Sequence, residues 1–402
     1  MAHKRTIKLE QVVQAPIQLV YQAFTNSTGM REWMGDHVTL DARPGGRVYI
    51  WWNSGYYASG EFIRVEHEKE LQFTWHGRGE LRPTQVLVSF KPTRKSTLVR
   101  LTHRGLGAGA AWEKASVEFE TAWRSSLENL ASVLGSGPDL RITRRPMLGI
   151  SLSDFSPEIA AKLGIPVTAG IRLDGVVQGM GAQAAGLQKD DVLVEFAGQP
   201  MLDFSSLAQA INGLKAGDVI PVTFYRGPEQ HTVSLTLSGR PIPAIPASTL
   251  ALAEELGKVY AGAESQMTVF LQGVTEQEAE AKPAPEEWSI KEVIAHLIHS
   301  ERFWQQAISE IAGGQEAVYD GYSGNLEARN AATLKAFPSL AELDTQWRRL
   351  NTETVALLAA LPLEFTQHKG SYWRLAYQCL NFPTHFFTHL DQMSAALQAA
   401  RK

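Results

Sequence analysis

The chain has 402 residues, more than one ordinary domain of roughly 100–200 residues holds. Its composition, 44% hydrophobic and 20% charged, reads as a soluble globular protein, and 38 basic against 42 acidic side chains exclude the global basic field of a nucleic-acid binder. A single cysteine, Cys379, excludes an internal disulfide framework, and no apolar run nears the roughly 20 residues of a membrane-spanning helix.

The opening MAHKRTIKLEQVV has charges but no apolar stretch of a secretory signal, so the expected compartment is the cytoplasm. Punctuation then divides the chain. Gly, Ser and Pro in LGSGPD (134–139) read as one linker, and the prolines of SGRPIPAIPA (238–247) as another. The predicted domains are 1–137, 138–243 and 244–402, with net charges of +4, −1 and −7. No internal repeat is visible.

In residues 1–137, TIKLEQVVQ alternates as a half-buried strand. APIQLVYQAFTN switches to helical spacing, with Ile17, Val20 and Phe24 on one face after Pro16. Strand-like runs follow in RVYIWWN, YASGEFIRVE, ELQFTWHG, TQVLVSFKP and TLVRLTHRG, as in antiparallel meanders. WEKASVEFETAWRSSLENLASVL closes the segment as a long amphipathic helix. A sheet bent around that helix predicts a cavity, with Trp33, Trp51, Trp75 and Trp123 as candidate lining, although any one such ring serves more often as core. His37, His67, His76 and His103 lack metal-ligand spacing and read as surface or hydrogen-bonded residues. ARPGGRVYI, GEFIRVEHEKELQFTW and the helix containing WRSSLENLASVL resemble the heat-shock-protein-90 ATPase activator homologue family, of the START-like, or SRPBCC, helix-grip superfamily. The resemblance covers nearly all of 6–135. It implies an α+β helix-grip fold with a pocket for an apolar small molecule, and no single activity.

In residues 138–243, MLGISL is a short strand broken at Gly149, and SPEIAAKLGI carries a serine cap. With GMGAQAAGLQKDDVLVEFAGQPM, the helix SSLAQAING and the paired end strands, the segment resembles a mostly-β PDZ domain of the HtrA type. An open strand edge can accept an extended peptide, and a glycine turn can aim backbone N–H groups at a terminal carboxylate. By resemblance, Met147, Leu148, Gly149 and Ile150 form that loop and strand, and Leu207 and Ile211 face the side-chain pocket. Arg144 and Arg145 either add positive potential or form a solvated linker pair. No G-x-S-x-G or G-N-S-G-G motif accompanies the segment.

Residues 244–402 are helical by pattern: ASTLALAEELGKVYAGAESQMTVFLQGV, EEWSIKEVIAHLIHSERFWQQAISEIAGG, SLAELDTQWRRLNTETVALLAAL, and a last helix interrupted or begun near Pro383. Ser289 with Glu292 has capping-box spacing. Four such helices predict an all-α, up-and-down bundle. His385 and His389, four apart, share a helix face and can chelate one ion. His296, among Val293, Ile294 and Leu297, is the best third ligand, since a polar group on a buried face needs a partner. His299 reads as surface or supporting, Gln392 as a candidate to orient a ligand, and Cys379 as a small hydrophobe. PAPEEWSIKEVIAHLIHSERFW with HFFTHLDQM resembles the DinB-like four-helix-bundle family, also called the bacillithiol- or mycothiol-dependent transferase-like superfamily. That resemblance assigns a divalent metal (Zn, Ni or Fe) to His296, His385 and His389, admits a low-molecular-weight thiol as co-reactant, and allows a homodimer.

The expected function is a multidomain binding protein: an apolar pocket, a groove for a peptide or protein C-terminus, and a three-histidine metal site. The expectation includes neither a nucleic-acid partner nor a membrane span. A metal-dependent thiol transferase in the bundle is the enzymatic alternative, and a stress or chaperone accessory a third. No catalytic residue is assigned.

Overall fold

A computed structural model describes residues 5–211, 213–284, 287–314 and 325–402. Asn212, Pro285 and Glu286 of the quoted motifs lie outside the described residues. The chain divides into two compact units, residues 1–139 with 243–402, and residues 140–242.

The larger unit begins with a sheet built on two-residue alternation. β1 (Ile7–Val13) buries Ile7, Leu9 and Val13, and leads into α1 (Ile17–Thr25) and the short α2 (Ser27–Arg31). Strands β2 (His37–Leu40), β3 (Arg47–Trp51), β4 (Tyr57–Glu66), β5 (Glu70–Gly77), β6 (Thr84–Pro92) and β7 (Thr97–Arg104) follow. Their order is β1-β7-β6-β5-β4-β3-β2, antiparallel throughout. The long α3 (Ala110–Gly135) buries Phe119, Trp123, Leu127, Leu130 and Val133, spaced three or four apart, in one cluster with Val13, Phe24, Val86 and Leu101. Each such side chain contributes roughly 1.5–3 kcal/mol on leaving water.

One histidine sits inside this core without cost in hydrogen bonds. His103 Nδ1 accepts from the Trp123 indole N–H at 3.2 Å, and its Nε2–H donates to the Thr84 hydroxyl at 2.7 Å. Thr84 passes its own proton to the Trp75 carbonyl at 3.1 Å. Burial lowers the His103 pKa to about 4, so the ring is neutral.

The smaller unit contains α4 (Leu140–Thr143), β8 (Pro146–Met147), β9 (Ile150–Ser153), α5 (Pro157–Leu163), β10 (Ile171–Val176), α6 (Gly181–Ala184), β11 (Val192–Phe196), β12 (Gln199–Pro200), α7 (Phe204–Ile211), β13 (Val219–Arg226), β14 (Glu229–Thr236) and β15 (Ser238–Gly239). Its main sheet runs β14-β13-β11-β10-β9, with β12 on β11, and β15 pairs separately with β8. The buried Asp191 carboxylate takes two bonds of 2.8 Å from Arg226 and one of 2.8 Å from the Gln188 N–H. It ties the start of β11 to the end of β13.

The second part of the larger unit is helical: α8 (Thr249–Leu271), α9 (Glu276–Glu280), α10 (Ile290–Ala312), α11 (Leu326–Ala336), α12 (Leu340–Ala359), α13 (Lys369–Leu380) and α14 (Phe382–Ala400). Helices α8, α12, α10 and α14 neighbour one another in a ring, the four-helix bundle. Ser289 and Glu292 close the expected capping box, and Thr275 with Glu278 and Ser339 with Glu342 close two more. The last predicted helix is two helices, because Pro383 lacks an N–H and suits only the first turn of α14. Lys291 is buried and joins Glu276, Glu280 and the Pro338 carbonyl, pinning α9, α10 and the entry to α12.

Helix α13 also meets the sheet part of its own unit. Arg374 pairs with Glu32 at 3.2 Å, each side chain only 11% exposed, and Ser371 donates to the same carboxylate. Lys369 donates to the Gly135 carbonyl at the end of α3. Arg374→Met leaves a buried carboxylate without its cation, so we expect a loss of roughly 3 kcal/mol, mostly restored by adding Glu32→Gln. Tryptophan emission during urea unfolding reads this unit alone, because all ten tryptophans lie in it. An unchanged midpoint would deny the contact any part in stability.

Candidate functional site

The three predicted metal ligands converge. His296 lies on α10, beside the fully buried Val293 and Leu297. His385 and His389 lie one turn apart on α14, flanking the buried Phe386 that stacks on Trp347 of α12. Packing Phe386 inward therefore swings both imidazoles toward α10. One nitrogen from each of the three rings falls within 4.8 Å of the others. His385 Nε2 and His389 Nε2 are 3.1 Å apart. Ligand nitrogens at about 2.0–2.1 Å from a metal stand about 2.9–3.4 Å apart across an octahedral or tetrahedral edge, so the pair has chelating separation.

The donor chemistry also fits a cation. Gln392 accepts from His389 Nδ1–H at 3.0 Å, which leaves the Nε2 lone pair directed at the cluster. His296 Nδ1 is buried and meets no hydrogen-bond partner among the described residues. Burial, then the neighbouring His389, His385 and His299, lower the His296 pKa to about 4. Burial, then His389, lower that of His385. Both rings are thus neutral, as coordination requires. Trp288 covers one side, its ring 5.0 Å from His296 and 6.4 Å from His389.

Beside the cluster, Arg329 Nη1 donates to His299 at 3.0 Å, and Arg329 and Arg302 both act on that ring and lower its pKa after burial does. Neither guanidinium has a carboxylate partner among the described residues. Arg374 and Lys369 are engaged with Glu32 and the Gly135 carbonyl. Cys379 is fully buried and its thiol pKa is raised by burial, so it is a small hydrophobe as expected.

Sequence reasoning missed a second polar cluster. Glu301 is 1% exposed, accepts from the Tyr260 hydroxyl at 3.0 and 3.1 Å and from the Thr354 hydroxyl at 3.0 Å, and has no cation beside it among the described residues. Burial raises its pKa to about 7. Its partners sit 41 and 53 residues away, so no local spacing signals the group.

In the smaller unit, β9 ends the main sheet, with β10 on one side only. Leu148 and Leu207 share one buried cluster, and Ile150 and Ile211 pack against it. Gly149 holds φ +77°, and a Cβ there would meet the Met180 side chain at 2.3 Å, so only glycine fits. Met147 stands outside the cluster, paired with Ser238 in the β8–β15 ribbon. Arg144 and Arg145 are exposed beyond α4.

The four tryptophans assigned to a ligand cavity do not line one space. Trp33, Trp75 and Trp123 are 1%, 4% and 3% exposed and belong to the core. Trp33 packs on Phe24, while Trp75 meets Trp123 at 5.2 Å. Trp51 is on the opposite face of the sheet, against His37, because its neighbour Ile50 points inward.

Family models match the three segments separately: Activator of Hsp90 ATPase homolog 1-like protein over 14–135, PDZ domain over 146–237, and DinB superfamily over 260–393. The chain is therefore a three-domain protein, with an SRPBCC-like, a PDZ and a DinB-superfamily domain in that order. The PDZ segment resembles a probable periplasmic serine endoprotease DegP-like of Marinomonas sp. (strain MWYL1), 30% identical over 97 residues, 24% of this chain and 21% of the relative. A serine protease Do-like HtrA of Lactococcus lactis subsp. lactis (strain IL1403) is 31% identical over 99 residues, 23% and 24% of the two chains. The chain spans about a fifth of the length of the curated relatives it matches. Among solved structures, the Aha1 dimer from Colwellia psychrerythraea is 18% identical, covers 32% of this chain and 96% of its own, and has a TM-score of 0.30. An HSP90 activator from Plasmodium falciparum is 22% identical, covers 32% and 96%, and has a TM-score of 0.29. Among the described residues, no helix is long and apolar enough to cross a membrane.

Because the Glu301 pKa is raised on folding, its contribution to stability is complete below its ordinary 4.5 and is lost as pH rises through about 7. We expect the unfolding free energy to fall between pH 5 and 8, by on the order of 2–3 kcal/mol, and the slope to flatten in Glu301→Gln. An identical slope in the variant would assign the pH dependence elsewhere.

Proposed function

We propose a multidomain binding protein whose C-terminal bundle holds one divalent ion on His296, His385 and His389 and whose PDZ domain takes free peptide C-termini. The observation that carries the metal reading is the convergence of three ligand nitrogens within 4.8 Å. Three neutral imidazoles and an open position suit Zn²⁺, Ni²⁺ or Fe²⁺. A bound ion there supplies Lewis-acid activation of a water or thiol at its open position. Gln392 fixes the His389 tautomer, and Trp288 shields the ring faces. For the peptide, Leu148, Gly149 and Ile150 supply backbone donors and the free edge of β9, while Leu207 and Ile211 meet its apolar side chains.

The second reading is a metal-dependent transferase acting with a low-molecular-weight thiol. It is favoured by Arg302 and Arg329 beside His299, two guanidinium groups without a carboxylate partner among the described residues and suited to the carboxylates of an anionic co-reactant. We assign the protein to the cytoplasm, although the curated relatives of its PDZ segment include ones named periplasmic; fractionation separates the two.

Elemental analysis of protein purified without a histidine tag is expected to give one divalent ion per chain, abolished in His385→Ala. Gln392→Leu should weaken metal affinity about 10–100-fold while leaving the fold intact. A metal-free wild type that also refuses added Zn²⁺ would contradict the reading. Peptides with free C-termini should bind at least about tenfold tighter than their amides, and equal affinity would remove the carboxylate loop from the account.

A further inference from the structure

The SRPBCC-like domain gathers aromatic rings around a carboxylate that has no counter-ion. Glu80 follows β5. Its Oε1 accepts from the Tyr56 hydroxyl and, at 3.2 Å, from the Trp75 indole N–H. Its Oε2 is buried and has no partner among the described residues. Gly77 makes the meeting feasible: a Cβ there would lie 2.1 Å from the Tyr56 hydroxyl and 2.2 Å from Glu80 Oε1.

The rings enclose this group. Trp52 stands 5.3 Å from Tyr56 and 6.3 Å from Trp75, and Trp75 stands 5.2 Å from Trp123. Trp52, Tyr56 and Glu80 are each half-buried, whereas Trp75 and the Glu80 Oε2 atom are buried, so the group lies just beneath the surface. Arg82, only two residues from Glu80, turns away. Its guanidinium lies over the Trp112 ring at 5.4 Å and donates to the Gly105 carbonyl at 3.4 Å. Glu118 of α3 is near enough to act on the Tyr56 hydroxyl, adding negative rather than positive charge.

A carboxylate in such surroundings is costly until a cation compensates it, and aromatic faces add attraction for the same cation. We propose that Glu80, Trp52, Tyr56 and Trp75 form a recognition site for a small organic cation of the alkylammonium class. Glu80 supplies the charge, Trp52 and Tyr56 contact the methyl or methylene groups around the nitrogen, and the buried Trp75 holds the carboxylate through its indole N–H. The ligand class thus differs from the uncharged apolar molecule that a sheet–helix pocket suggests. The site is separate from the three histidines, so it stands whether or not the bundle carries metal.

The test uses the full-length protein and a pair of isosteres, choline and the uncharged 3,3-dimethylbutan-1-ol, in calorimetric and tryptophan-fluorescence titrations. Choline is expected to bind with a change in emission, and the alcohol at least about tenfold more weakly. Glu80→Gln keeps the acceptor for Tyr56 and Trp75 and should cost choline about tenfold in affinity with an unchanged Tm. Should that variant misfold, Trp52→Leu at the rim is expected to show a similar loss. Equal affinity for both isosteres, undiminished choline binding in folded Glu80→Gln, or no choline binding up to about 10 mM would overturn the proposal.

Discussion

Three imidazole nitrogens that face one point crowd their lone pairs together until a shared partner takes them. The ligand face of the DinB-superfamily domain follows from that constraint. Phe386 is packed against Trp347, which fixes the rotation of α14 and delivers His385 and His389 to α10. His296 waits there with a buried nitrogen that no group among the described residues satisfies. Protonation would place like charges within 4.8 Å, and burial opposes it at His296 and His385, so those two rings keep their lone pairs. In the proposed metal reading, a cation turns this arrangement from costly to favourable.

The same economy recurs elsewhere in the molecule, with different solutions. Asp191 is satisfied by Arg226, and Lys291 by two glutamates and a carbonyl. Glu32 and Arg374 satisfy each other where α13 meets the sheet part of its unit. Glu301 is held by two hydroxyls with no cation, which places its proton near neutrality. His103 is solved by tautomer choice inside a chain of neutral donors. These groups separate into finished networks and open ones. The open ones include His296 and Glu80, where we propose ligands.

Much of this was legible in the residues. The histidine trio was readable because two members share a helix face and the third sits in an apolar run. In the PDZ segment the short strand broken at Gly149 was readable from the residues, while the roles of the glycine turn and the helix came from the family resemblance. The placement of Trp51 could have been read as well, since Val48 and Ile50 alternate inward and leave it outside. Strand β2 (HVTL) is too short to show a period, and α9 and α11 lie among capping residues rather than long apolar faces. Glu301 was illegible for a different reason: it lies five residues past His296, off its face, and its partners come from α8 and α12. Likewise, nothing near Glu32 announces Arg374, because that pairing depends on two packed domains.

The most direct measurement is X-ray absorption spectroscopy at the metal edge of the loaded protein. The account predicts a coordination shell whose imidazole scattering fits three histidines and falls to two in His389→Ala. A shell of oxygen ligands alone, or one unchanged by that substitution, would place the metal elsewhere and dissolve the central claim.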